Sequence, residues 1–170
     1  MQNKEIVKIK LARKYWIILG LIFITAAAAG WLNAAHSNKS VAATSVDCNE
    51  DYRQDGFVQI GSRLVSIQSM KTDAELKQGL SGRHCLPNIQ GMLFSFAKPG
   101  FYSFWAKDMN FDVDIVWLDL DKKVVSIKSH VTPQTYPERF SSSSPAQYVL
   151  EVGSGQANVL GLQTGTALKF

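Results

Sequence analysis

Between Tyr15 and Ala35 the chain reads YWIILGLIFITAAAAGWLNAA, without a single charged residue. No other feature narrows the possible folds so far. As a helix rising ~1.5 Å per residue, about twenty residues cross the ~30 Å hydrocarbon layer of a bilayer. The preceding fourteen residues hold Lys4, Lys8, Lys10, Arg13 and Lys14 against one acid, Glu5. Such a basic end stays in the cytoplasm, and Tyr15, Trp16 and Trp31 stand where interfacial aromatics sit. The expectation is therefore a cytoplasmic basic segment over 1–14, a single membrane-crossing anchor over 15–35, a flexible tether over 36–55 and a β-rich domain over 56–170 on the extracytoplasmic side of the cell membrane. The alternative is a cleaved signal peptide, for which the small residues Val41-Ala42-Ala43 supply a processing site, leaving a secreted or periplasmic domain.

The formal net charge of +4 belongs entirely to the leader, because thirteen basic and thirteen acidic residues remain beyond position 14. No basic face is left for a phosphate backbone, so no nucleic-acid partner is expected. Cys48 and Cys85 both follow the apolar run. Outside the cytoplasm an even cysteine count permits a bridge. A Cys48–Cys85 disulfide is expected, tying the start of the domain to the loop after its first helix; two separate buried thiols are the alternative. Neither cysteine has the neighbours of a metal site, since His84 beside Cys85 finds no second Cys/His cluster. No cofactor is implied.

Beyond the tether, FVQI and RLVSIQSM flank Gly61-Ser62, a pair suited to a type II′ hairpin turn. Thr72-Asp73-Ala74-Glu75 fits a capping box, so a short helix should follow, with Leu76 and Leu80 on its inner face and its end at Ser81-Gly82. Met92–Phe96 and Phe101–Lys107, joined by Lys98-Pro99-Gly100, read as a second hairpin. In the strand Asp112–Asp119, a period of two puts Val113, Ile115 and Trp117 on one face and Asp112, Asp114 and Val116 on the other. VVSI continues the meander after the turn at Asp121-Lys122-Lys123. His130–Ala146 is a long loop, YVLEV a strand, GSGQANVLG a short helix and TALKF a closing strand. With no βαβ alternation evident, the fold class is α+β, mainly antiparallel β: a small closed or half-closed β-barrel-like domain with two short helices.

Gly79-Leu80, Gly91-Met92-Leu93-Phe94, Phe104-Trp105 with Lys107, Asp114-Ile115, Pro145-Ala146, Tyr148-Val149-Leu150-Glu151, Gly161 and Gly165 follow one another in an order and spacing that resembles the domain of unknown function 192 family. The resemblance runs from Asp73 to Phe170. It implies a small β-rich domain, often behind a signal or anchor, of a kind found in bacteria and archaea, and no assigned activity. The chain departs from the family pattern, which usually has methionine at Ser81 and Ala106, asparagine at Asp108, threonine at Met109, leucine at Val113 and aspartate at Thr166.

The candidate ligand-binding residues are Trp105, Lys107, Asp108, Asp114 and Glu151. Trp105, with Phe104, Tyr102 and Trp117, offers aromatic surface, and Lys107 and the carboxylates supply polar contacts for a small polar ligand or a protein partner. A hydrolase-type enzyme is the alternative, with Lys107, Asp108, Asp114 and Glu151 converging at one barrel mouth as acid and base. No nucleophile motif or phosphate loop accompanies them. Asp108, Asp112 and Asp114 form D-x3-D-x-D, without the glycine and terminal glutamate of a calcium hand. A purely structural arrangement is also open: Lys107 paired with Asp114 across adjacent strands, Glu151 capping a turn, and the aromatics filling the core.

Overall fold

Alternation with a period of two makes the long strands walls between two cores. The computed structural model describes Cys48 and residues 52–170. The expected leader, anchor and most of the tether lie outside the described residues, among which no helix is long and apolar enough to cross a membrane. The elements are β1 (Gly56–Ile60), β2 (Arg63–Met70), α1 (Asp73–Gln78), β3 (Gln90–Gly100), β4 (Val113–Leu118), β5 (Val124–Val131), a 3-10 turn at Pro133–Thr135, β6 (Ala146–Gly153), α2 (Gln156–Val159) and β7 (Leu168–Lys169).

The strands form one sheet in the order β5-β4-β6-β3-β2-β1-β7. Every neighbouring pair is antiparallel except β2 with β3. The sheet curls until its ends meet: the Leu168 amide donates to the Lys122 carbonyl at 3.0 Å and the Val124 amide to the Thr166 carbonyl at 2.9 Å. A half-closed barrel results. Its inner layer joins Val58, Val65, Leu93, Val116, Leu118, Leu150 and Leu168 to Ala157 and Leu160 of the α2 region. The opposite face of β3, β4 and β6 carries Met92, Phe94, Ile115, Trp117 and Val149, and it too is buried, under Leu80, Ala106, Met109 and Phe140.

Two expectations need correction. The chain does contain a parallel crossover, β2–α1–β3, because parallel neighbours require a long connection, and α1 with residues 79–89 provides it. The helix itself is expected; the parallel pairing of β2 with β3 joins strands that no local pattern links. The second hairpin is absent as well: β3 continues through Pro99 to Gly100, and Phe101–Lys107 does not return beside it. Its aromatic side chains turn that segment onto the outer face of the sheet. The rings of Phe96 and Tyr102 stack at 3.5 Å between centroids, and Phe104 meets Phe94 edge-on at 4.9 Å. Its backbone pairing is with Phe140, through two bonds of 2.8 Å.

The capping box is present: the Glu75 amide donates to the Thr72 hydroxyl oxygen, and the Thr72 amide to the Glu75 carboxylate. The helix stops earlier than expected, at Gly79, whose φ of 48° lies in the left-handed region. A side chain there would also press on the Phe94 ring at 3.2 Å. The Cys48–Cys85 disulfide is formed, with 5.4 Å between α-carbons. It closes a 37-residue stretch, worth about 4 kcal/mol in loop-entropy terms. Residues of the expected tether are fastened too: the Tyr52 hydroxyl donates to the Ser66 and Gly91 carbonyls, and Arg53 to Asp55 and Glu75.

Candidate functional site

The five candidate residues divide among three places. Asp114 points into the inner layer and is fully buried. Its two carboxylate oxygens accept from the backbone amides of His130 and Ala157, each at 3.0 Å. It stitches the end of β5 and the first turn of α2 to β4, and both of its oxygens are committed to that work. Lys107 does not reach it: the lysine bonds Asp108 instead, so the expected Lys107–Asp114 pair is absent.

Lys107 and Asp108 pair with each other at 2.7 Å on the surface, with 45% and 65% of their side chains exposed. Solvent screens such a pair, although it still holds the ammonium above the ordinary lysine range through the hydrogen bond to Asp108. Backbone geometry matters more at Asp108, whose φ of 54° is a left-handed conformation that Asn and Asp tolerate best. Its carbonyl accepts from the Gly82 amide at 2.7 Å, and the Lys107 carbonyl from the Ser81 hydroxyl at 2.8 Å. The side chain of Asn110 adds a bond to the Arg83 carbonyl. This turn is thus buttoned to the loop that the disulfide holds.

Glu151 lies on the other side of the sheet from Asp114. In the β4–β6 register it faces Ile115, and Val152 faces Asp114, so the two carboxylates point to opposite faces. Convergence of Lys107, Asp114 and Glu151 at one mouth therefore does not occur; strand alternation separates the carboxylates, and the exposed turn takes Lys107 away. His130 Nδ1 lies 2.7 Å from Ser154 Oγ, but Asp114 bonds the His130 backbone, not its ring, so no nucleophile–base–acid chain is assembled.

What Glu151 meets is a cleft of about 150 Å³. One wall comes from α1 and the turn after it, with Leu76, Lys77, Gly79 and Ser81; the other is aromatic, with Phe94, Phe96, Tyr102, Phe104 and Trp105. The Trp117 indole N–H donates to the Tyr102 carbonyl at 3.1 Å and sets that wall against β4. Trp105 carries the Arg139 guanidinium on its ring, 3.9 Å from the centroid, with Tyr136 alongside. Glu151 is only 3% exposed, and its carboxyl has no hydrogen-bond partner among the described residues. Burial alone pushes its pKa up to about 8. Trp105 and Glu151 are thus the two candidates brought together. The facing wall from α1 and Gly79–Ser81 was not among the candidates, although Gly79-Leu80 opens the family signature.

Residues 57–170 match the model of the domain of unknown function 192 family, described as "Uncharacterized ACR". The chain belongs to that family. Among solved structures it is similar to a protein of unknown function from Novosphingobium aromaticivorans, at 28% identity and a TM-score of 0.62 over 67% of this chain and 84% of that one. A candidate transcription regulator from Sinorhizobium meliloti gives the same TM-score at 23% identity, over 66% of this chain and 89% of that one, and shows the fold alone. No functionally curated protein is significantly similar.

Two predictions separate these places. Replacing Asp114 by Ala leaves two backbone amides without acceptors and should cost about 2–4 kcal/mol, whereas Lys107→Met, at a solvent-screened surface pair, should leave the unfolding midpoint close to that of the parent. Urea unfolding of both variants checks this, and equal effects would contradict it. Glu151 makes stability fall as pH rises: its unfolded carboxyl ionises near 4.5 and its folded one near 8, so between these values the unfolded state sheds the proton first. The slope approaches ~1.4 kcal/mol per pH unit and flattens above the folded pKa. The stability gain of Glu151→Gln over the parent should therefore grow from pH 5 to pH 8; parallel curves would refute the assignment.

Proposed function

We propose that the domain is a binding module displayed on the outer side of a membrane by the apolar run at 15–35, and that the cleft over Glu151 takes a small ligand. One observation carries this reading: an almost fully buried carboxyl without a partner, among the described residues, lines an aromatic cleft. A few polar groups in an apolar pocket are what orient a ligand, and the Glu151 carboxyl is such a group at the cleft. Trp105 supplies the flat apolar surface beside it. Lys107, Asp108 and Asp114 serve the frame of the domain.

Placement outside the cytoplasm is supported by the disulfide, since such bridges persist in oxidising compartments. The uncharged run behind a basic leader supports an anchor that is retained.

In a thermal-shift screen of the full chain against small amines, sugars, amino acids and carboxylates, a cleft ligand at about a hundred times its Kd should add ~2.7 kcal/mol, a rise of about ten degrees. Trp105→Ala should abolish the shift. A screen with no response in any class would count against the module. Mass spectrometry of the mature protein should find the leader intact; a chain starting near Thr44 would replace the anchor by a cleaved signal.

A further inference from the structure

We propose that the Glu151 cleft recognises the charged end of a small organic ammonium ion. This rests on the binding-module reading and names its ligand class. Three features of the cleft point the same way. The first is size: about 150 Å³ takes a group of roughly benzene dimensions, so a short alkylammonium, or the ammonium end of a longer molecule, fits. The second is the aromatic wall, since the faces of Phe, Tyr and Trp rings carry negative potential and attract cations, most strongly where water is excluded. The Arg139 guanidinium already sits on the Trp105 ring, a neighbouring positive charge that the ammonium must accommodate.

The third is Glu151. Its carboxyl is held deep beside Met92 and Ile115, its cross-strand partners, where an unpaired charge is costly. With a pKa of about 8 it is mostly protonated at neutral pH. An incoming ammonium changes that balance, because its charge stabilises the carboxylate, and the carboxyl proton leaves to water as the ion pair forms. A neutral ligand would depend on the protonated acid as a hydrogen-bond donor. An anion would bring a second negative charge to a group that is already difficult to ionise. The two classes therefore differ in the sign of their pH dependence. The other titratable side chains lining the cleft are Lys77, on α1, and Tyr102.

Isothermal titration calorimetry of the purified full chain with n-butylammonium, tetramethylammonium, n-butanol and butyrate tests this. At pH 7.5 at least one cation should bind ten times or more tightly than the alcohol or the acid. Its affinity should rise about 50-fold from pH 6 to pH 8, following the ionised fraction of Glu151. Glu151→Gln should bring the cation down to the level of butanol and remove the pH dependence, whereas Lys77→Met should retain it. Butanol or butyrate binding as tightly as the cations, or affinity falling with pH, would overturn the ammonium assignment while leaving a ligand-binding cleft. If no probe binds but another class gives a Trp105-dependent thermal shift, the ammonium assignment also fails and the module stands. Silence in both assays removes the two readings together.

Discussion

Burial of β3, β4 and β6 on both faces is the constraint from which the rest of the structure follows. A barrel of this size covers only the inner face of its strands. The outer faces of these three carry Met92, Phe94, Ile115, Trp117 and Val149, and that apolar surface must be covered by something other than sheet. Loops and a single short helix provide the cover. The long irregular segments are therefore part of a second core, and their aromatic content follows from that task.

Covering a sheet with loops demands fasteners, because a loop contributes no ladder of its own. The disulfide holds the stretch around Cys85, Ser81 and Gly82 bond the Lys107–Asp108 turn, and Trp117 holds Tyr102. Close approach matters at the sheet itself: a side chain at Gly91 would lie 3.0 Å from the Glu151 carbonyl, so glycine there allows β3 and β6 to pair tightly beneath the cleft. The cleft lies between the α1 wall and the aromatic wall. Glu151 stands at that gap, the one ionisable side chain of the outer layer among the described buried residues.

The two buried acids show how environment divides like residues. Asp114 is paid for by two amide donors and gives the inner layer its register with α2. Glu151 has no donor among the described residues, and its proton affinity rises in consequence. Both stand in the family signature, and one alternation step between neighbouring strands places them on different faces and in different roles.

Much of the domain was legible in the chain. The β1–β2 hairpin, the capping box, the β4 alternation and the Asp121–Lys123 turn all rest on contacts between residues near in sequence or on a strict period. These are properties a linear chain can express. The cysteine count allowed the bridge, and the aromatic density around Trp105 marked one wall of the cleft. What the tertiary structure alone decided involves choices among distant partners. Phe101–Lys107 has the composition of a strand, yet it folds as a cover, with Tyr102 and Phe104 packed on Phe96 and Phe94 of the outer face. Lys107 and Asp114 alternate as strand residues should, yet one ends at a surface turn and the other inside the barrel. Side-chain type fixed what each residue can do, and the register of β4 against β6 determined that Glu151, not Asp114, meets the cleft.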